Sequence, residues 1–323
     1  KGRKMKTLFK NGNLISFDNE KVENVDILVN NGIIEKIGNL SAEKVDKIVD
    51  LKGNIITPAF ANCFYRSLNA VKNSYFDENR TFSSQEREII KKYMEEKSIL
   101  SGALYFYDFS FETPFCLIDN LSEKEENELE EFSLNLKNKT FIKVGQTLEE
   151  MGEINAKSRK MPSEFLDKKA VIVGGNLFEK DELEIFSSYD TSFILLPNDD
   201  ARSGRRFANI NSLEKFEIPF GIGSGDYAEI DFFSFMRQLL SFNSFVMENS
   251  TLLSPKEGNF ANFIVLNRQN ILNDDIFKGI VFELSKQDVV MTVKEGKILQ
   301  ENGVFVMENG ENYDKITLGS KLK

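Results

Sequence analysis

Apolar and polar positions alternate in short runs at both ends of the chain and group into longer blocks in the middle. Near the start, Lys6 to Phe9 and Leu14 to Phe17 read as strands on either side of the turn signal at Asn11 and Gly12. Val25 to Val29 and Ile33 to Ile37 alternate around Asn31 and Gly32. An Asn-Gly pair supplies the two positive φ angles of a type I′ turn, so this stretch predicts a hairpin. Lys47 to Leu51 and Asn54 to Thr57 complete a β-rich segment over residues 6–57. Residues 255–317 are β-rich as well: Phe260 to Leu266 reads as a strand, Val289 to Val293 and Lys297 to Leu299 flank a turn at Glu295 and Gly296, and Asn302-Gly303 marks another turn.

Between these ends, strand and helix blocks alternate, which is the pattern of a parallel sheet or barrel. Helices are expected over Ser84 to Ser98, from Leu148, over Glu179 to Phe186 and over Asp231 to Phe245. Strands are expected from Phe60, over Gly102 to Phe109, Phe141 to Gln146, Ala170 to Val173, Ser192 to Leu196 (ended by Pro197) and Phe220 to Gly223, with Phe115 to Ile118 the weakest pattern. That makes about seven strands, against the eight of a complete (β/α) barrel. The deficit falls between Asp108 and Phe141, where roughly thirty residues remain, about what one βα unit needs by itself. The expected barrel is therefore incomplete there, with the acidic helix Ser122 to Leu136 as the cover of its open edge.

Composition narrows the chemistry. The chain has 323 residues and no His. This excludes Ser-His-Asp and Cys-His catalysis and any His-ligated metal. A net charge of −10 argues against nucleic acid as a partner. Cys63 and Cys116 read as buried thiols, not a disulfide framework. No apolar run reaches membrane-spanning length, and Lys1 to Lys6 lacks a signal peptide's apolar segment, so a cytoplasmic protein is expected, with Met5 as its native start. The abundance of Lys, Asn, Ile, Phe and Glu fits a bacterial, AT-rich genome.

The stretch from Ile55 to Ser67 then adds a resemblance. Pro58, Phe60 and Asn62 match the opening of the barrel in the amidohydrolase superfamily, in its cytosine-deaminase-like, chlorohydrolase-like and aminodeoxyfutalosine-deaminase-like branch, which reads Pro-Gly-Phe-Val-Asn-Thr-His-x-His. Phe64 and Arg66 stand where that family has its two metal-binding His. Further on, Phe141 to Thr147 resembles Ile-His-Leu-Ala-Glu-Thr, with Lys143 at the ligand His and Gln146 at the catalytic Glu. Asn176 stands at the next ligand His, Leu195 at an active-site His, and Gly225 at the ligand Asp, with Asp226 one residue late. Glu257 to Leu266 resembles the family's Gly-x-x-Ala-Asp-Leu-Val-Val-Leu-Asp strand, with Asn262 for its Asp.

The resemblance implies an α/β protein: a distorted or incomplete TIM-type barrel over residues 58–251, plus a small β-sandwich built from both chain ends, residues 5–57 and 252–323. It implies a vestigial pocket lined by Phe64, Arg66, Lys143, Gln146, Asn176, Leu195, Gly225 and Asp226, with no metal, no cofactor and no catalytic residue. Arg66 and Lys143 would make that pocket an anion site, helped by the basic cluster Arg202, Arg205 and Arg206, unless Asp108 or Asp226 pairs with them internally. Asp226 and Glu229 as an acid/base pair, Cys63 as a nucleophile and the Gly221-x-Gly-x-Gly run as a phosphate loop are each outweighed by plainer structural roles. The first functional reading is a metal-free pseudoenzyme with a binding, regulatory or scaffold role, taking a small anionic ligand or pairing as a homodimer or with a metal-competent paralogue. The alternative is a hydrolase or deaminase of non-peptide carbon–nitrogen bonds working by a metal-independent mechanism.

Overall fold

The structure, a computed structural model, describes residues 5–16, 21–40, 44–77, 79–119, 139–156, 166, 170–239 and 255–306. In chain order the first elements are β1 (Lys6–Ser16), β2 (Lys21–Asn30), β3 (Ile33–Gly38), β4 (Lys47–Asp50), β5 (Ile55–Pro58), β6 (Phe60–Tyr65), α1 (Ser67–Tyr75) and α2 (Ser84–Leu100). Then come β7 (Ala103–Asp108), β8 (Cys116–Ile118), β9 (Thr140–Val144), α3 (Leu148–Ala156), β10 (Val171–Gly174), α4 (Lys180–Ser188), β11 (Ser192–Leu195), α5 (Pro197–Arg202), α6 (Ile210–Lys215) and β12 (Phe220–Ile222). The last are α7 (Phe232–Leu239), β13 (Phe263–Leu266), α8 (Ile276–Glu283), β14 (Val289–Lys294), β15 (Lys297–Glu301) and β16 (Val304–Phe305). Two compact units result: Lys1–Ala61 with Thr81–Tyr105 and Ile230–Lys323, and Asn62–Arg80 with Phe106–Glu229.

In the first unit one nine-stranded sheet runs β16-β15-β14-β13-β5-β1-β2-β3, with β4 pairing on β1. Both chain ends share it, because β5 pairs antiparallel with β13, from Ile55 opposite Leu266 to Pro58 opposite Phe263. Its core gathers Phe9, Ile27, Ile56, Phe263 and Val293, with Phe9 and Phe263 edge to face at 5.2 Å. The Asn31-Gly32 hairpin forms as expected, with φ of 51° and 84°. Asn11-Gly12 does not turn the chain. β1 runs through it as one strand with a register shift between Phe9 and Gly12, so the left-handed Asn11 makes a bulge. A Cβ on Gly12 would lie 2.3 Å from Ile56 Cδ1, so a side chain here would have to displace Ile56. Helix α8 falls in the stretch read as β-rich. Asp275 starts it by accepting from the backbone N–H of Phe277 and Lys278, and Arg237 closes it by donating to the carbonyls of Val281 and Leu284.

In the second unit β8, β9, β10, β11 and β12 form a parallel sheet in that order. Beyond β12, Gly225 forms a parallel bridge to Tyr65 at the end of β6, and β6 pairs with β7. β8, β9, β10, β11, β12, β6 and β7 thus follow one another, and among the described residues no ladder joins β7 to β8. Aromatic side chains pack around that seam: Tyr107 on Phe115 at 4.7 Å, and Phe109 and Phe115 on Phe141 at 4.9 and 5.2 Å. The acidic helix expected to cover the seam, Ser122 to Leu136, lies outside the described residues, as do residues 240–245 of the helix expected from Asp231. Pro197 ends β11 and also opens α5, where a missing N–H costs nothing at the first helical position. Among the described residues no helix is long and apolar enough to cross a membrane.

Candidate functional site

Parallel strands deliver the residues at their C-terminal ends to one rim. In the second unit, four such ends meet on carboxylates. Arg66 follows β6, Lys143 lies in β9, Asp119 follows β8 and Asp226 follows β12. Arg66 grips Asp226 as a fork: Nε donates to Oδ1 at 2.6 Å and Nη2 donates to Oδ2. Its remaining nitrogen, Nη1, donates to Asp119. Lys143 Nζ donates to Asp226 Oδ2 at 3.0 Å. Two cations therefore share one carboxylate, and a second carboxylate completes the set.

Burial and charge compete at each group. Burial works to raise the Asp226 carboxyl, but the hydrogen bond from Arg66 and the charge of Lys143 outweigh it and hold the acid below its ordinary value. Burial likewise opposes the Arg66 charge, and Asp226 and Asp119 outweigh it, so the guanidinium holds its proton more tightly than usual. Asp199, the third residue of α5, goes the other way. Burial, then the neighbouring charge of Asp226, pushes it up to about 7. Its two oxygens accept the backbone N–H of Asp226 at 3.0 and 3.1 Å. Beside it, burial raises Asp200 too, against the pull of Asn176 and Arg205.

The backbone is shaped for this contact. Gly225 has φ +66°, and a Cβ there would stand 2.2 Å from Asp199 Oδ2. Glycine at position 225 is thus what lets Asp199 reach the Asp226 amide. A buried pair locks the same strands: Asn62 Nδ2 donates to Ser224 Oγ at 2.8 Å, and Ser224 N donates to Asn62 Oδ1 at 2.9 Å.

The other residues singled out from the sequence land as follows. Phe64 is fully buried, packs with Phe141, Val171, Val173, Ile194 and Leu196, and stacks on Phe109 at 4.7 Å. Leu195 is buried, but strand alternation puts it on the opposite face from Ile194, away from that cluster. Gln146 and Asn176 are both buried at the rim. The Gln146 side-chain nitrogen lacks a hydrogen bond, and Asn176 lies against Asp200 without reaching hydrogen-bond geometry. Asp108 does not pair with the cations. Its Oδ1 accepts from the backbone N–H of Ser67 and Ser110, fixing the start of α1.

The arginine cluster is dispersed over internal acids. Arg202 pairs with Glu229 at 2.7 Å and lies over Tyr227, Arg205 pairs with Asp200 at 3.1 Å, and Arg206 is exposed. Glu229 is therefore taken by Arg202 and is not brought to Asp226. Cys63 packs against Gly221, with its desolvated thiol pushed up to about 11. Sequence reasoning missed Asp119, Asp199 and Asp200. All three follow strand ends, so the strand-end rule was the available signal.

Comparison with known proteins supports the fold. No protein-family model matches the chain. A stretch of 63 residues is 38% identical to the 5-methylthioadenosine/S-adenosylhomocysteine deaminase of Thermococcus sibiricus, covering 20% of this chain and only 15% of that protein. Among solved structures, the chain is similar to a zinc-bound adenosine deaminase from Xanthomonas campestris, with a TM-score of 0.76 at 10% identity over 98% of this chain and 96% of that one. It is similar to a triazine hydrolase from Arthrobacter aurescens, with a TM-score of 0.68 at 14% identity over 94% and 96%. It is similar to a guanine deaminase from C. acetobutylicum with bound guanine, with a TM-score of 0.62 at 13% identity over 91% and 99%. At these identities the likeness shows the fold: this chain has the α/β architecture that these deaminases and hydrolases share.

A zinc ion bound in one neighbour raises the question of fit. Zinc takes imidazole, thiolate or carboxylate donors and leaves a position for water. This chain has no imidazole. Both oxygens of Asp226 are engaged by Arg66 and Lys143, and those of Asp199 by a backbone N–H. Among the described residues no three His, Cys, Asp or Glu side chains are grouped to hold a metal. The donor set among the described residues does not fit zinc.

Proposed function

We propose that this protein is a hydrolase or deaminase of non-peptide carbon–nitrogen bonds that works without a metal, with Asp199 as its proton carrier. One observation carries the reading. A buried carboxyl held near 7 stands beside a second carboxyl held low, at the strand-end rim of a fold that deaminases and hydrolases use. Two acids with their pKa values driven apart are the usual arrangement for proton transfer at neutral pH. In this reading ionised Asp199 takes a proton from water as the water oxygen attacks the carbon. It then returns that proton to the departing nitrogen. Arg66 and Lys143, both held on Asp226, keep that neighbouring carboxyl ionised beside Asp199.

The reading is tested by ammonia release from adenosine, guanine and a panel of cyclic amides. Turnover is expected to rise with pH through about 7, to be indifferent to EDTA and to fall at least ~100-fold in Asp199→Asn. Turnover that EDTA abolishes and zinc restores would contradict it.

A second reading is favoured by a specific observation. Asp199 is only 2% exposed, and both cations already hold Asp226. An internally paired, buried cluster of this kind suits a pseudoenzyme with a binding, regulatory or scaffold role, whose partner is a second copy or a metal-competent paralogue. Absence of turnover across the panel, with the protein folded, selects this reading.

A further inference from the structure

We infer that Arg66 and Lys143, clamped on Asp226, take the place of a divalent metal ion as a fixed internal charge of plus two. A metal ion at strand ends does two physical things. It ties together the elements that bear its ligands, and it neutralises the carboxylates among them. Here the same two jobs fall to side chains. Asp226 joins the ends of β6 and β12 to β9 through the Arg66 fork and Lys143 Nζ. Asp119 brings in β8 through the third nitrogen of Arg66.

The four groups cancel. Two side chains of charge +1 face two of charge −1, so the set asks for neither a dication nor an external anion. A metal approaching Asp226 would have to displace a bidentate Arg, the most geometrically specific partner a carboxylate has. It would also meet the repulsion of both cations. The anion site expected at Arg66 and Lys143 therefore loses its motive at these two residues. The inference goes beyond the proposed reaction, because it concerns the charge of the rim whether or not a substrate is turned over.

The test is thermal unfolding of the full chain with zinc chloride, manganese chloride or EDTA, comparing the parent with Arg66→Met/Lys143→Met. The parent Tm is expected to stay put under all three. In the double variant the Asp226 oxygens lose both of the cations that engage them. Zinc or manganese should then raise its Tm, EDTA should reverse the rise, and Asp226→Asn in the same background should remove it. A metal-induced rise in the parent overturns the inference, and so does a folded double variant that ignores both metals. If the double variant does not fold, calorimetric titration of zinc into the parent decides. No saturable binding is expected, and one site per chain overturns the inference. Turnover plays no part in these readouts, so a failure here is distinct from a failure of the proposed reaction.

Discussion

Replacing Asp226 with Asn is expected to destabilise the protein by about 3–5 kcal/mol, the usual cost of removing one partner from a buried ion pair. The pair is buried on both sides: side-chain exposure is 14% for Arg66 and Lys143 and 11% for Asp226. Solvent screening, which reduces exposed pairs to near nothing, does not apply here. Asn keeps the size and one acceptor, but it cannot serve the Arg66 fork and the Lys143 ammonium together. Asp119 stays with Arg66, but it is more exposed, at 34%, and no contact between it and Lys143 is seen among the described residues. Urea denaturation of parent and variant at pH 6 reads the cost directly. A loss below about 1 kcal/mol, the range of surface pairs, would mean that the cluster is solvated.

Replacing Asp199 with Asn is expected to do the opposite, and only at higher pH. In the unfolded chain this acid loses its proton near 3.8, and in the folded protein near 7. Between those values only the unfolded state gives up the proton, so stability falls as pH rises, by about 1.4 kcal/mol per pH unit. Above about 7 both states are ionised and the loss is constant, about 4 kcal/mol in all. Asn cannot ionise, yet its side-chain oxygen can still accept the Asp226 N–H. The variant should match the parent near pH 4 and exceed it by a few kcal/mol near pH 8. Asp226, held low, contributes in the other sense: its share of stability is present above its unfolded pKa and is lost as pH falls through its lower folded pKa. The acid limb should therefore survive in Asp199→Asn while the neutral limb disappears. An equal difference between variant and parent at every pH would contradict the assignment. A carboxyl kept at such a cost is what a site selected for proton transfer would retain.

The local pattern made much of the fold legible. Alternation and Asn-Gly chemistry placed the β2–β3 hairpin, and the run of strand and helix blocks placed the parallel sheet. Asn11-Gly12 was misread because a left-handed Asn serves a bulge as well as a turn, and only the partner strand decides between them. Helix α8 was hidden by its β-branched residues. Yet Ile276, Phe277, Ile280 and Val281 fall at helical spacing just after the capping Asp275.

At the site, family resemblance pointed to Arg66, Lys143 and Asp226 at strand ends, and internal pairing was one of the outcomes expected. The strand-end position of Asp199 was legible, but its character was not, because that comes from burial and from Asp226, a neighbour 27 residues away in sequence. Nothing local in the run from Pro197 to Asp200 carries that information. The same holds for Arg202, Arg205 and Arg206. They look like a basic patch in sequence, but the fold pairs Arg202 with Glu229 and Arg205 with Asp200 and leaves Arg206 exposed.

At the rim, side-chain cations balance the Asp226 and Asp119 carboxylates in place of a metal ion. Elemental analysis of the protein purified without chelator tests it most directly. The account predicts zinc, iron and manganese each far below one per chain; near-stoichiometric content of any of them would contradict it.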